Sequence, residues 1–280
     1  MDGKSMSMFV KSWAHLCKHG TIDLTPCLDR TVINVPASLD ARILNFLEDK
    51  NCVRSLKLPP VVEISPEMVR ITLELTPDNV DKLKERAKHE STRSNLHLST
   101  FVVTSAYLWS CLVKTRGGGD VDRPARFMYA ADFRNRLGEP VPESYFGNCV
   151  FPTGCFGHRA GVVSGGDGFV KAVEIISGSV RVVVGSGNIE GVCELYIDGT
   201  KSVEPGTQTV SIVGSNRFGL YESDFGWGKP VRCETVSIDR SEAFSMSERR
   251  DESGGVEIGL CLKKCEMDLF VSLFQNGLEN

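Results

Sequence analysis

The sequence predicts an α/β protein, a sandwich of helices on a mixed sheet, and three observations lead there. Alternating apolar segments and segments with apolar residues three and four apart both recur along the 280 residues. They succeed one another without the strict strand-helix repeat of a barrel or a doubly wound fold. Composition is that of an ordinary globular chain, 41% hydrophobic and 24% charged, so a sizeable core can be buried.

Met6, Phe9, Val10, Trp13, Leu16 and Cys17 set a helical period over residues 6–20, with Ser5 to cap it and Gly20 to stop it. Pro36, Pro59, Pro60 and Pro66 interrupt any period over residues 35–66, which read as a long connecting segment. Residues 69–75 alternate as a strand. Thr76-Pro77-Asp78 then supplies a cap and a first-turn proline for a helix carrying Val80, Leu83 and Ala87. Residues 99–114 are apolar on nearly every side, which predicts a buried helix ended by the Gly117-Gly118-Gly119-Asp120 loop. Strands are expected over 126–133 and 149–156, a helix over 169–180, strands over 231–238 and 256–262, and a last helix over 264–276 stopped by Gly277.

Thirty-two Lys and Arg against 36 Asp and Glu give a net charge of -4, with no basic run for a nucleic-acid backbone. The longest apolar runs, such as Phe101-Val102-Val103, fall far short of the roughly 20 residues that cross a bilayer. The opening Met-Asp-Gly-Lys-Ser has no apolar stretch behind it and no Asn-x-Ser/Thr sequon occurs, so a cytosolic protein is expected. There the ten cysteines stay reduced. No Cys-x-x-Cys is present, and Cys261 and Cys265 have no nearby His, so buried thiols are expected and no metal site. The phosphate-binding Gly-x-x-x-x-Gly-Lys, the serine elbow Gly-x-Ser-x-Gly and His-Glu-x-x-His are all missing.

Three strings stand out. Asp224-Phe225-Gly226-Trp227-Gly228 sets two glycines around a tryptophan, and alone it reads as a tight turn with a buried ring. Tyr145-Phe146-Gly147-Asn148-Cys149 and Ala131-Asp132-Phe133-Arg134-Asn135-Arg136 lie upstream of it. Together they resemble the plant BAHD acyltransferases. The Tyr145 to Cys149 string is similar to the branch that acylates anthocyanins and phenolic glucosides, commonly from malonyl-CoA, as is Pro26-Cys27-Leu28-Asp29-Arg30.

The resemblance runs the whole chain and corresponds to the C-terminal three fifths of such an enzyme. It implies a chloramphenicol-acetyltransferase-like α/β fold with the first domain largely missing: residues 1–40 a remnant of that domain, 41–66 a crossover linker and 67–280 the second domain. An apolar face over residues 1–40 is then expected to be exposed. The family motif His-x-x-x-Asp-Gly is represented by Asp2-Gly3, which puts its histidine three residues ahead of Met1. His19-Gly20-Thr21-Ile22-Asp23 has the bare spacing, but Leu24 replaces the glycine and His19 suits the negative end of the helix dipole.

The resemblance implies transfer of an acyl group from a CoA thioester, with two candidate catalytic carboxylates, Asp2 and Asp224. Asp2 pairs with Arg134 to keep its turn in shape. Asp224 and Trp227, held by Phe225, Gly226 and Gly228, shape the CoA side of a channel. Tyr145, Phe146, Gly147 and Asn148 either line the acyl-donor side or only pack as a turn. Arg134, Arg136 and Lys114 are candidates for a CoA phosphate or a malonyl carboxylate. No cofactor is implied beyond acyl-CoA, such as malonyl-CoA, as co-substrate. The other partner is a small glucoside acceptor, with no nucleic acid and no membrane, and the complete enzyme is expected to be a monomer. The alternative is a catalytically dead fragment that at most binds CoA or a partner.

Overall fold

The computed structural model describes residues 1–22, 24–49, 64–116, 119–185, 189–240, 243–251 and 254–279. Among them six strands form one mixed sheet in the order β1-β6-β5-β4-β2-β3. These are β1 (Met68–Leu75), β2 (Pro124–Asp132), β3 (Val150–Arg159), β4 (Gln208–Ser215), β5 (Ala243–Glu248) and β6 (Val256–Lys263). β4 runs parallel to both β2 and β5, while β1 with β6, β5 with β6 and β2 with β3 are antiparallel. The mixed α/β class is this pairing.

The helices are α1 (Gly3–His19), α2 (Ala37–Asp49), α3 (Pro77–Glu90), α4 (Thr100–Arg116), α5 (Ala160–Ser164), α6 (Gly168–Gly185), α7 (Ile189–Lys201) and α8 (Lys264–Glu279). Every residue of α4 from Val102 to Val113 is buried, because its neighbours α3, α5, α6, α8 and the sheet leave it no solvent face. Trp109 meets Phe127 of β2 at 5.7 Å between ring centres and Tyr107 meets Phe274 of α8 at 5.4 Å. Burying each such ring contributes about 1.5–3 kcal/mol. α3 begins as its sequence dictates: the Thr76 hydroxyl accepts from the Asn79 N–H at 3.2 Å and the Asn79 amide oxygen accepts from the Thr76 N–H at 3.1 Å.

Several elements differ from expectation. α2 occupies part of the stretch read as a connection, because Pro36 stands just before its first residue and Pro59 beyond its last, where neither breaks it. Residues 50–63 of that stretch, and Gly117 and Gly118 of the glycine loop, lie outside the described residues. Residues 231–238 are not a strand. They are held beside edge strand β1 by side chains, Arg70 donating to the Thr235 carbonyl and Arg232 to the Thr72 hydroxyl, and no backbone ladder forms. The sheet is instead completed by β4 and β5, which the sequence pattern does not predict, nor does it predict α7. Finally, α8 runs through Gly277 to Glu279.

Gly277 serves packing. A Cβ there would sit 2.5 Å from the Tyr107 hydroxyl, which donates to the Phe274 carbonyl. Gly277→Ala should therefore lower the unfolding free energy by about 1–3 kcal/mol in urea titrations, and a wild-type midpoint would show that the tyrosine swings aside without cost.

Candidate active site

The site is built at the first turn of α1. Asp2 is its N-cap: one carboxylate oxygen accepts from the Ser5 N–H at 2.9 Å, and the other accepts from the Cys149 N–H at 2.9 Å. Arg134 donates from one nitrogen to both Asp2 oxygens, at 2.8 and 3.0 Å, and from its other terminal nitrogen to Asp132 at 3.1 Å. Both partners of the Asp2–Arg134 pair are buried, with side chains 1% and 2% exposed. Burial by itself raises the Asp2 carboxyl pKa, but the Ser5 and Cys149 amides and the Arg134 guanidinium outweigh it and hold the group below the usual carboxylate value.

Ser5, expected only as the helix cap that Asp2 in fact supplies, locks the neighbouring loop to this turn. Its buried hydroxyl donates to the Gly147 carbonyl at 2.8 Å and accepts from the Gly147 N–H at 3.1 Å. Its place three residues after an Asp, in an N-cap pattern, is the signal that could have marked it. Tyr145, Phe146, Gly147 and Asn148, together with Met1 and Arg30, line an open cavity of about 370 Å³. The Phe146 N–H donates to the Cys27 carbonyl at 2.9 Å, which brings the Pro26 to Arg30 string beside the Tyr145 to Cys149 string. Burial pushes the Cys149 thiol up, so it is not a ready nucleophile.

The second carboxylate stands elsewhere. Asp224 accepts from the Gly226 and Gly228 N–H groups at 2.8 and 2.9 Å and from the Lys18 ammonium at 2.6 Å. The Lys18 contact first, then the two amides, hold its carboxyl down at about 2. Gly226 and Gly228 have φ of 104° and 101°, so the turn requires their freedom. Phe225 meets Trp13 edge-on at 5.2 Å. Trp227 is 93% exposed, so the ring expected to be buried in this turn lies in solvent.

Lys18 is sixteen residues along α1 from Asp2, about 24 Å at 1.5 Å per residue. The structure therefore brings Asp2, Arg134 and Tyr145 to Asn148 together and sets Asp224, Phe225, Gly226, Trp227 and Gly228 at the opposite end of the helix. Asp224 clasps the C-terminal end of α1 through Lys18. The Arg134 guanidinium is buried against Asp2 and Asp132. Arg136 donates to the Asp132 carbonyl, and Lys114 lies in the last turn of α4, within the helical layer. His19 sits in the last turn of α1, far from the cavity.

The family model described as the Transferase family matches residues 1–276. The chain belongs to this Transferase family. It is 57% identical over 287 residues to a BAHD acyltransferase of Arabidopsis thaliana, covering 100% of this chain and 63% of that protein. It is 53% identical over 289 residues to an agmatine coumaroyltransferase and 44% identical over 288 residues to phenolic glucoside malonyltransferase 2, both from Arabidopsis thaliana. Each alignment takes in 100% of this chain and 64% and 63% of those relatives. The chain thus spans just under two thirds of the length of the relatives it matches. The crystal structure of vinorine synthase superposes with a TM-score of 0.69 at 19% identity, over 97% of this chain and 60% of that one. The fold is the chloramphenicol-acetyltransferase-like fold of the BAHD acyltransferases. Among the described residues no helix is long and apolar enough to cross a membrane.

The site's electrostatics carry two predictions. Asp2→Asn leaves the buried guanidinium with only the half-exposed Asp132 as counter-charge and should cost about 3 kcal/mol of stability at neutral pH. Because the native Asp2 pKa lies below its ordinary 3.8, the contribution is complete above that value and disappears as pH falls through the native one. Acid titration of the wild type should show this loss and Asp2→Asn should lack it. Asp224→Ala should speed hydrogen exchange at the Gly226 and Gly228 amides and leave α4 unchanged, and equal protection in both proteins would exclude the clasp.

Proposed function

We propose that this chain forms the acyl-CoA-binding part of an O-acyltransferase that moves an acyl group, malonyl in the first instance, to a sugar hydroxyl of a phenolic or flavonoid glucoside. The observation that carries the proposal is the buried Asp2–Arg134 pair, which fixes the Asp-Gly turn of the motif against a cavity lined by Tyr145 to Asn148. The malonyl donor and glucoside acceptor are supported by the relative named phenolic glucoside malonyltransferase 2 and by the Tyr145 to Cys149 string.

In such a transfer the acceptor oxygen attacks the thioester carbonyl while a base takes its proton, for which a histidine is suited. The tetrahedral intermediate collapses, the carbon–sulfur bond breaks, and the CoA thiolate leaves with the proton returned from the base. Asp2 faces Arg134, Ser5 and Cys149 and acts by positioning the turn. A second proposal is that the chain binds acyl-CoA without turning it over, because no histidine is among the cavity's lining residues. The higher identity to the agmatine coumaroyltransferase also favours testing a coumaroyl donor and an amine acceptor.

The decisive test incubates the purified chain with malonyl-CoA or coumaroyl-CoA and either a phenolic glucoside or agmatine, reading acylated product by mass spectrometry and thioester binding by calorimetry. Malonylated glucoside is the expected product. Binding without product selects the second proposal, and no binding of either thioester overturns both.

A further inference from the structure

We propose that Arg30 is the anion anchor of the cavity at the head of α1, holding an oxyanion of the acyl-CoA donor. This rests on the acyl-CoA reading above and names the residue that recognises the donor's charge. Four observations carry it.

Arg30 is the one charged side chain among the six residues lining the cavity. Its guanidinium is already oriented: one terminal nitrogen donates to the Phe146 carbonyl at 2.7 Å, and its central carbon lies 5.4 Å from the centre of the Tyr145 ring. A guanidinium has five N–H donors, so that single bond leaves a donor edge for a ligand. The adjacent carboxylate does not use that edge. Asp29 accepts from the Thr31 N–H and hydroxyl at 2.9 and 2.7 Å, and no carboxylate among the described residues pairs with Arg30.

Gly147 keeps the place open. A Cβ there would run into the Arg30 terminal nitrogen and come within 2.5 Å of the Tyr145 hydroxyl, so any larger residue displaces the guanidinium. The other basic candidates do not line the cavity: Arg134 is paired with Asp2 and Asp132, and Arg136 donates to the Asp132 carbonyl. An arginine held over an aromatic face with an unused donor edge presents a planar fork, the geometry that matches a carboxylate or phosphate.

The ligand group is therefore an oxyanion, and it has two sources in an acyl-CoA: the free carboxylate of a dicarboxylic acyl group, or a phosphate of CoA itself. The full chain and its Arg30→Gln and Arg30→Lys variants are titrated with malonyl-CoA, acetyl-CoA and the malonate dianion, with thermal melting as the check on folding. Losing a charge-assisted pair should weaken binding roughly tenfold or more. If Arg30→Gln weakens malonyl-CoA and malonate but leaves acetyl-CoA unchanged, the anchor holds the acyl carboxylate. If malonyl-CoA and acetyl-CoA weaken equally and malonate does not bind, it holds a CoA phosphate. Arg30→Lys should recover part of the affinity, because it keeps the charge without the fork. Unchanged affinity for every probe in Arg30→Gln overturns the proposal. A wild type that binds malonate through Arg30 and neither thioester removes the acyl-CoA reading and keeps the anion site, whereas a wild type that binds none of the three removes both.

Discussion

One buried ion pair sets the position of everything at the candidate site. Asp2 and Arg134 are 132 residues apart in sequence and both lie out of water. Taking two charges out of solvent is tolerable only when they are paired and most of their remaining hydrogen-bonding capacity is filled, and of the Arg134 nitrogens only Nε has no partner. That requirement recruits the Ser5 and Cys149 amides to Asp2 and the Asp132 carboxylate to the far edge of the guanidinium. Satisfying the pair therefore fixes the start of α1, the end of β2 and the Tyr145 to Cys149 loop relative to one another. A lysine could not substitute, since one ammonium lacks the two opposed donor edges that reach Asp2 and Asp132.

α1 leaves its apolar side largely to solvent. Its apolar stripe of Met6, Phe9, Trp13 and Leu16 is 48%, 51%, 53% and 41% exposed, whereas the buried residues are Ser5, Ser7 and Ala14. The helix is docked by polar contacts at its head and clasped along its length by residues 218–226: Phe218 under Gly3, Glu222 to Lys11 at 2.7 Å, and Asp224 to Lys18. The two signature strings thus serve opposite ends of one rod. The cavity depends on the head, and the clasp keeps the tail from fraying away from the domain.

Arginines are the natural candidates for meeting an anionic donor, and packing divides them. Arg134 is committed because the buried Asp2 and the half-exposed Asp132 converge on its buried guanidinium. Arg30 keeps an open edge because its own neighbour Asp29 is turned to Thr31. Sequence proximity to a carboxylate would suggest the reverse assignment for Asp29 and Arg30.

The sequence by itself determined the α/β class, the capped start of α3, the buried α4 and the pairing of Asp2 with Arg134. Local chemistry explains the first three: a Thr-Pro cap and an all-round apolar helix permit one conformation and one environment each. The pairing came through resemblance of strings, since residues 132 positions apart carry no local signal of contact. Only the tertiary structure decided the rest. Residues 231–238 alternate like a strand yet find only side-chain partners beside β1, and a strand exists only where a second backbone supplies its ladder. Gly277 stays inside α8 because a tyrosine from α4 needs the space of its missing Cβ. Which face of α1 is buried, which arginine is free and which carboxylate is near the cavity depend on neighbours brought together by folding, and no window of sequence contains them.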